Sequence, residues 1–164
     1  MSEQRAQFVQ AVVFTLLDDA SKKKEYYGVG VEQVREIRLL ENITSVPKSP
    51  HYVRGVMNLR GQIIPVIDLK AKLGFSERTE NKQSERILVA DSGGLVAGFL
   101  VDEVDQVIRM PLSEVESLQS EILESAPYVK GMAKIQGKLI VLLDLQKLLQ
   151  EQGTLQKFEG EVQD

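Results

Sequence analysis

The 164-residue chain contains no cysteine and no tryptophan, and only one histidine. Without cysteine there are no disulfides, thiolate metal ligands or thiol nucleophiles, and a reducing compartment is unobjectionable. His51 alone is a poor basis for zinc, and no serine stands in a pattern that would make it a general base, so it reads as a loop residue. No G-x-x-x-x-G-K-[ST] string occurs; Gly28-Val29-Gly30 is too short for a phosphate cradle, and Gly93-Gly94 reads as a hairpin turn. No metal and no cofactor are expected. Aromatic residues make up 5% of the chain, and 24 acidic against 20 basic residues leave a net charge of −4. Neither a base-stacking platform nor a general attraction to nucleic acid or anionic lipid follows from that balance. No apolar run approaches the roughly 20 residues that span a bilayer. The run 11–17 ends in Asp18-Asp19 and reads as a first strand rather than a targeting segment. A soluble, cytoplasmic protein without membrane insertion is expected.

What is present is a duplication. The segment "YVRGVMNLRGQIIPVIDLKAKLG" (52–74) aligns without a gap with "YVKGMAKIQGKLIVLLDLQKLLQ" (128–150). Tyr52 and Tyr128, Gly55 and Gly131, Gly61 and Gly137, Ile64 and Ile140, and Asp68 and Asp144 are identical pairs at an offset of 76. A weaker echo precedes each copy, "YGVGVEQVREI" (27–37) against "AGFLVDEVDQVI" (97–108), at an offset of 70. Each half therefore runs in the same order: apolar strand, short strand, a V-acid-x-V turn, a proline-containing loop, a Gly-spaced hairpin and a short helix. The polar stretch 76–86 is the natural connector. These features predict one domain over 8–150, with pseudo-twofold-related subdomains of about 14–75 and 85–150, and a polar tail over 151–164.

Short runs such as "AVVFTLL", "VREIRLL", "VRGVMNL", "IIPVID", "RILVAD" and "VAGFLV" are rich in Val, Ile, Leu and Phe and bounded by turn residues, which predicts a mainly β, small-barrel or sandwich fold. Lys22, Lys23 and Lys24 read as a solvated hairpin tip. Pro65 cannot donate to a ladder, so its strand is expected at a sheet edge or a bulge. In "LSEVESLQSEILESAP" (112–127), Ser113 with Glu116 three positions on suggests a capping box and a helix beginning there.

Asp68 and Asp144 raise the one enzymatic idea, because duplication is a route to a symmetric carboxylate pair of the aspartyl-hydrolase kind. Here, however, the followers are Leu-Lys and Leu-Gln rather than a small residue and glycine. Each aspartate ends an apolar strand and precedes a short helix, so both read as helix caps, and no catalytic residue is expected. Gly55 and Gly61 read as bulge and turn glycines that could also be sensitive to a partner. Arg60 should sit at an exposed hairpin tip; it is either a solvated turn residue or a recognition group for a partner's carboxylate or carbonyl.

Taken together, "YGVGVEQVREI", the proline loop, "YVRGVMNLRGQIIPVIDL" and its second copy resemble the CheW family of bacterial chemotaxis coupling proteins, over about 12–149. The resemblance implies two intertwined five-stranded SH3-like barrels around a shared core. It implies an adaptor without catalysis, joining the cytoplasmic tips of chemoreceptors to the regulatory domain of the histidine kinase CheA at membrane-associated arrays. It places receptor binding on Val34, Glu36 and Arg60, with Val31 and Val101 as apolar neighbours between the halves, and the kinase at an exposed barrel end. A regulatory module of another chemosensory or pilus pathway would look alike.

Overall fold

The computed structural model describes residues 7–75 and 83–150. The tail 151–164 and most of the connector, 76–82, lie outside the described residues. Strands β1 (Phe8–Asp18) and β2 (Lys23–Gly30) form a hairpin, and a 3-10 turn at Val31–Gln33 leads into β3 (Val34–Leu39). A second hairpin, β4 (Val53–Leu59) and β5 (Gln62–Asp68), ends in the one-turn helix α1 (Leu69–Lys72). The second half repeats the order with β6 (Arg86–Ser92), β7 (Leu95–Val101) and β8 (Glu103–Pro111). It continues with a 3-10 turn at Leu112–Glu114, β9 (Val115–Glu116), α2 (Ser120–Ser125), β10 (Val129–Ile135), β11 (Lys138–Leu143) and α3 (Leu145–Gln150).

The strands make a six-stranded sheet, in the order β8-β1-β2-β11-β10-β9, and a five-stranded sheet, β3-β6-β7-β5-β4. Each sheet thus takes strands from both halves of the chain, which is the intertwining expected. The junctions are parallel and equivalent under the repeat: Val66 lies opposite Gly98, and Leu142 opposite Gly28. Glycine fits both places because a Cβ at Gly98 would stand 2.5 Å from Ile87 Cγ2, and one at Gly28 3.0 Å from Leu142 Cδ2. The sixth strand, β9, pairs Glu116 with Met132, and its counterpart in the first half is the single bridge from Thr44 to Val56.

Alternation of apolar residues along each strand divides the core into three. A central cluster, including Phe14, Val29, Leu88, Phe99, Val101 and Leu145, is shared by both sheets and both halves. Each sheet also encloses a smaller cluster, one around Met57, Ile64 and Leu100, the other around Val13, Met110 and Ile140. This is the mainly β, two-barrel architecture predicted.

The expectation for Pro65 holds in its second form: β5 as a whole is not an edge strand, but Pro65 pairs with Val56 of β4, next to the bulge at Gly55, before the parallel ladder with β7 takes up at Val66. Two local expectations are corrected. Ser113 caps no helix: it lies in a 3-10 turn without a side-chain cap, and Val115 and Glu116 are drawn into pairing with β10, so the helix begins at Ser120. Only Lys22 belongs to the β1–β2 turn, at φ 61°, whereas Lys23 and Lys24 are the first residues of β2 and face Glu25 and Glu103.

Candidate interaction site

The β4–β5 connection is a two-residue turn at Arg60 and Gly61, with φ of 50° and 86°. Positive φ at both central residues matches the right-handed twist of the flanking strands, and asparagine or glycine is the usual occupant of the first place. Arginine there is a costly choice locally. Around it, the Asn58 Oδ1 accepts the Gly61 N–H at 2.8 Å, and Leu59 is buried in the small barrel core. The string Asn58-Leu59-Arg60-Gly61 thus divides into a turn staple, an anchor, a presented side chain and a glycine. The second copy makes the same turn with Gln136 and Gly137, at 53° and 78°.

The presented guanidinium reaches across to β3. Arg60 Nη1 donates to Glu36 Oε2 at 2.6 Å, and Arg38 Nη1 donates to Glu36 Oε1 at 3.3 Å, while Arg38 Nη2 reaches Glu41 Oε1 at 3.4 Å. Because β3 and β4 stand at opposite ends of the five-strand order, this bridge joins the two outer strands of the curled sheet. Partial burial pushes the Glu36 carboxyl up, but hydrogen bonds from Arg38 and Arg60, together with their charges, outweigh it and hold it below the usual carboxylate range. Arg60 itself remains 69% exposed. The equivalent corner of the other barrel carries Gln106 and Gln136, and is closed instead by Lys138 and Asp105 at 3.8 Å.

Val34 and Val31 are half-buried and pack on the central cluster, Val31 from the 3-10 turn and Val34 from the first position of β3. Pairing of β3 with β6 shifts register between Val34 and Glu36. Val101 is fully buried in the central cluster and offers no surface to a partner. Of the five residues placed at this face, only Glu36 and Arg60 are seen in contact; Val34 opens β3 on the other side of the register shift and, like Val31, packs on the central cluster, and Val101 lies inside the core.

Asp68 and Asp144 end β5 and precede α3 at matching places, their backbone N–H groups donating to Tyr52 O and Tyr128 O, each at 2.7 Å. Asp68 is buried; its Oδ1 accepts the Lys70 N–H at 3.1 Å and its Oδ2 lies 3.8 Å from Arg54 Nη1. Asp144 Oδ1 accepts the Lys147 N–H at 3.1 Å. Each carboxylate therefore serves its own helix. Gly55 stands at the β4 bulge with φ 149°, where a Cβ would run into the Thr44 carbonyl, whereas a Cβ at Gly61 would meet open space. His51 is exposed and packs edge-on to Tyr52. Among the described residues, no three His, Cys, Asp or Glu side chains gather as metal ligands, and no helix is long and apolar enough to cross a membrane.

Sequence reasoning missed Gln33. Its buried amide accepts the Leu145 N–H at 2.7 Å and donates to Asp144 Oδ1 at 3.0 Å, more than a hundred positions away. The repeat aligns it with exposed Glu103, which gives no hint of such a partner.

Comparison with known proteins matches residues 11–153 to the CheW-like domain. The chain is 37% identical over 121 residues to the chemotaxis protein CheW of Thermotoga maritima, covering 74% of this chain and 78% of that one. It is 30% identical over 129 residues to the CheW of Bacillus subtilis, covering 78% and 82%. The crystal structure of the scaffolding protein TtCheW from Thermoanaerobacter tengcongensis superposes with a TM-score of 0.75 at 32% identity, covering 90% of this chain and 96% of that one.

Proposed function

The chain belongs to the CheW-like family, and from that membership we propose that it is a cytoplasmic, non-enzymatic chemotaxis adaptor coupling chemoreceptor signalling tips to the histidine kinase CheA. The receptor docks at Val34, Glu36 and Arg60, beside Val31. The observation that carries this reading is the Arg60–Glu36 bridge, which holds an exposed guanidinium in a turn conformation that arginine does not favour. A solvated turn would be better served by asparagine; a presented, pre-oriented donor serves recognition.

An adaptor needs a second surface, and the duplication supplies like ones. The outward apolar side chains Ile37 and Ile63 of one barrel, 43% and 62% exposed, have Val107 and Leu139, each 57% exposed, at the equivalent places of the other. The kinase is held at such an exposed barrel end. The hydrolase reading draws no support from Asp68 and Asp144, because each accepts a backbone N–H of its own helix.

The test is co-sedimentation with a chemoreceptor cytoplasmic fragment and CheA, comparing wild type with a folded Arg60→Glu variant. Wild type should bridge the two, and the variant should keep the kinase and lose the receptor. Unchanged receptor binding by the variant would remove Arg60 from the site, and wild type binding neither partner would overturn the adaptor reading.

A further inference from the structure

The chain passes from one sheet to the other twice, at β2 to β3 and at β7 to β8, and each crossing is pinned differently. At the second, Asp102 Oδ2 accepts the Leu17 N–H at 2.6 Å and lies 3.6 Å from Lys70 Nζ on α1. At the first, the 3-10 turn Val31–Gln33 has no side-chain cap of its own. It is held by the Gln33 amide, whose two ends match the donor and the acceptor offered at the start of α3: the Leu145 N–H can only donate, and the Asp144 carboxylate receives the amide N–H. The residue after Gln33 opens β3, an outer strand with one neighbour, exactly where its pairing with β6 slips register.

We infer that Gln33 is a positioning residue for receptor docking: through Asp144 and Leu145 it fixes where β3 begins, and with it Val34 and Glu36, so affinity at that corner depends on a latch in the opposite half. The inference rests on the receptor reading above. The latch is an uncharged donor on one side of a carboxylate, so changing Gln33 to glutamate keeps the size and the acceptor for Leu145 but sets two carboxylates against each other. Changing Asp144 to asparagine as well removes that repulsion and offers an amide N–H across the latch, although Asp144 Oδ1, which accepts from both Gln33 and the Lys147 N–H in the native protein, can then serve only one of them.

The experiment measures receptor-fragment affinity, CheA affinity and amide hydrogen exchange over Val34–Leu39 for wild type, Gln33→Glu, Gln33→Met and the Gln33→Glu/Asp144→Asn double variant. Both single variants should weaken receptor binding by roughly five- to tenfold while CheA binding stays within about twofold, and the double variant should recover part of the loss seen in Gln33→Glu. Loss of receptor and kinase alike, or no loss, overturns the inference. If wild type fails to bind the receptor, the docking reading fails by itself; exchange over β3 then decides the latch, faster exchange in Gln33→Glu and its recovery in the double variant supporting it and unchanged exchange refuting it.

Discussion

Lys70 Nζ stands 3.2 Å from Asp19 Oδ1, with both side chains almost wholly inaccessible, although fifty-one positions separate them. With Asp102 at 3.6 Å, this lysine joins α1 to the end of β1 and to the β7–β8 crossing. Withdrawing the ammonium from between two buried carboxylates costs far more than the pair contributes at a surface. Lys70→Met is expected to lose about 3–5 kcal/mol in urea unfolding. Lys23→Met, which removes an exposed lysine 3.8 Å from Glu25, should change stability by less than about 0.5 kcal/mol. Equal effects would mean that the Lys70 cluster is hydrated in solution.

The turn conformation of Arg60 separates folding from recognition. Asparagine accepts positive φ more readily than arginine, so Arg60→Asn should leave the thermal midpoint unchanged or raise it slightly, yet weaken receptor binding. Stability and binding falling together would show that the Glu36 bridge is chiefly structural. Arg60→Glu places a second carboxylate against Glu36 and should weaken binding further.

How far these features could be read from the sequence depended on whether their partners were local. The duplication was legible because Val66 and Leu142, Gly98 and Gly28, and the two aspartates keep their spacing, and strand patterns alternate along contiguous runs. The Arg60 turn was legible through Gly61. Glu36 was grouped with Arg60 only through resemblance, and their ion pair was not legible, since nothing local ties β3 to a hairpin tip. Gln33 with Asp144 and Lys70 with Asp102 were not legible because they join the two halves, and Lys70 with Asp19 because it joins elements of the two sheets fifty-one positions apart. Ser113 misled because propensity rules describe a helix end in isolation, and here tertiary pairing at Val115 prevails.

The two glycines of the β4–β5 hairpin, Gly55 and Gly61, should respond unequally to alanine. At Gly55 both the backbone conformation and the Thr44 carbonyl oppose a Cβ, so Gly55→Ala is expected to cost about 2–4 kcal/mol. At Gly61 only the conformation opposes it, and Gly61→Ala should cost about 1 kcal/mol. Chemical denaturation of both variants checks the order, and a milder effect at Gly55 would mean that the Thr44 segment moves away freely.

Asp68→Ala removes a cap and the carboxylate facing Arg54, and is expected to lower stability by about 1–2 kcal/mol while leaving receptor and kinase affinity of the folded protein intact. Binding lost without loss of stability would give this aspartate a role that its position at the start of α1 does not suggest.

The lowered Glu36 carboxyl should set an acid limit on the proposed receptor docking. A group whose folded pKa is depressed contributes its stabilisation fully above its unfolded value, and the contribution is lost as pH falls through the folded value. The Arg60–Glu36–Arg38 network should therefore stay assembled at the ordinary carboxylate value of 4.5 and come apart only below it. Partial burial acts in the opposite direction, and of the two supports the Arg38 hydrogen bond does most to lower the carboxyl. Arg38→Gln removes one charge and weakens one hydrogen bond while leaving that burial in place, so the Glu36 carboxyl should move up. The acid limb of receptor binding should then appear at a higher pH than in wild type, with neutral-pH affinity less affected because Arg60 remains. Carboxyl NMR titration of Glu36 in both proteins measures the shift directly; coincident titrations would show that Arg60 alone holds the carboxylate, and would leave Arg38 to Glu41.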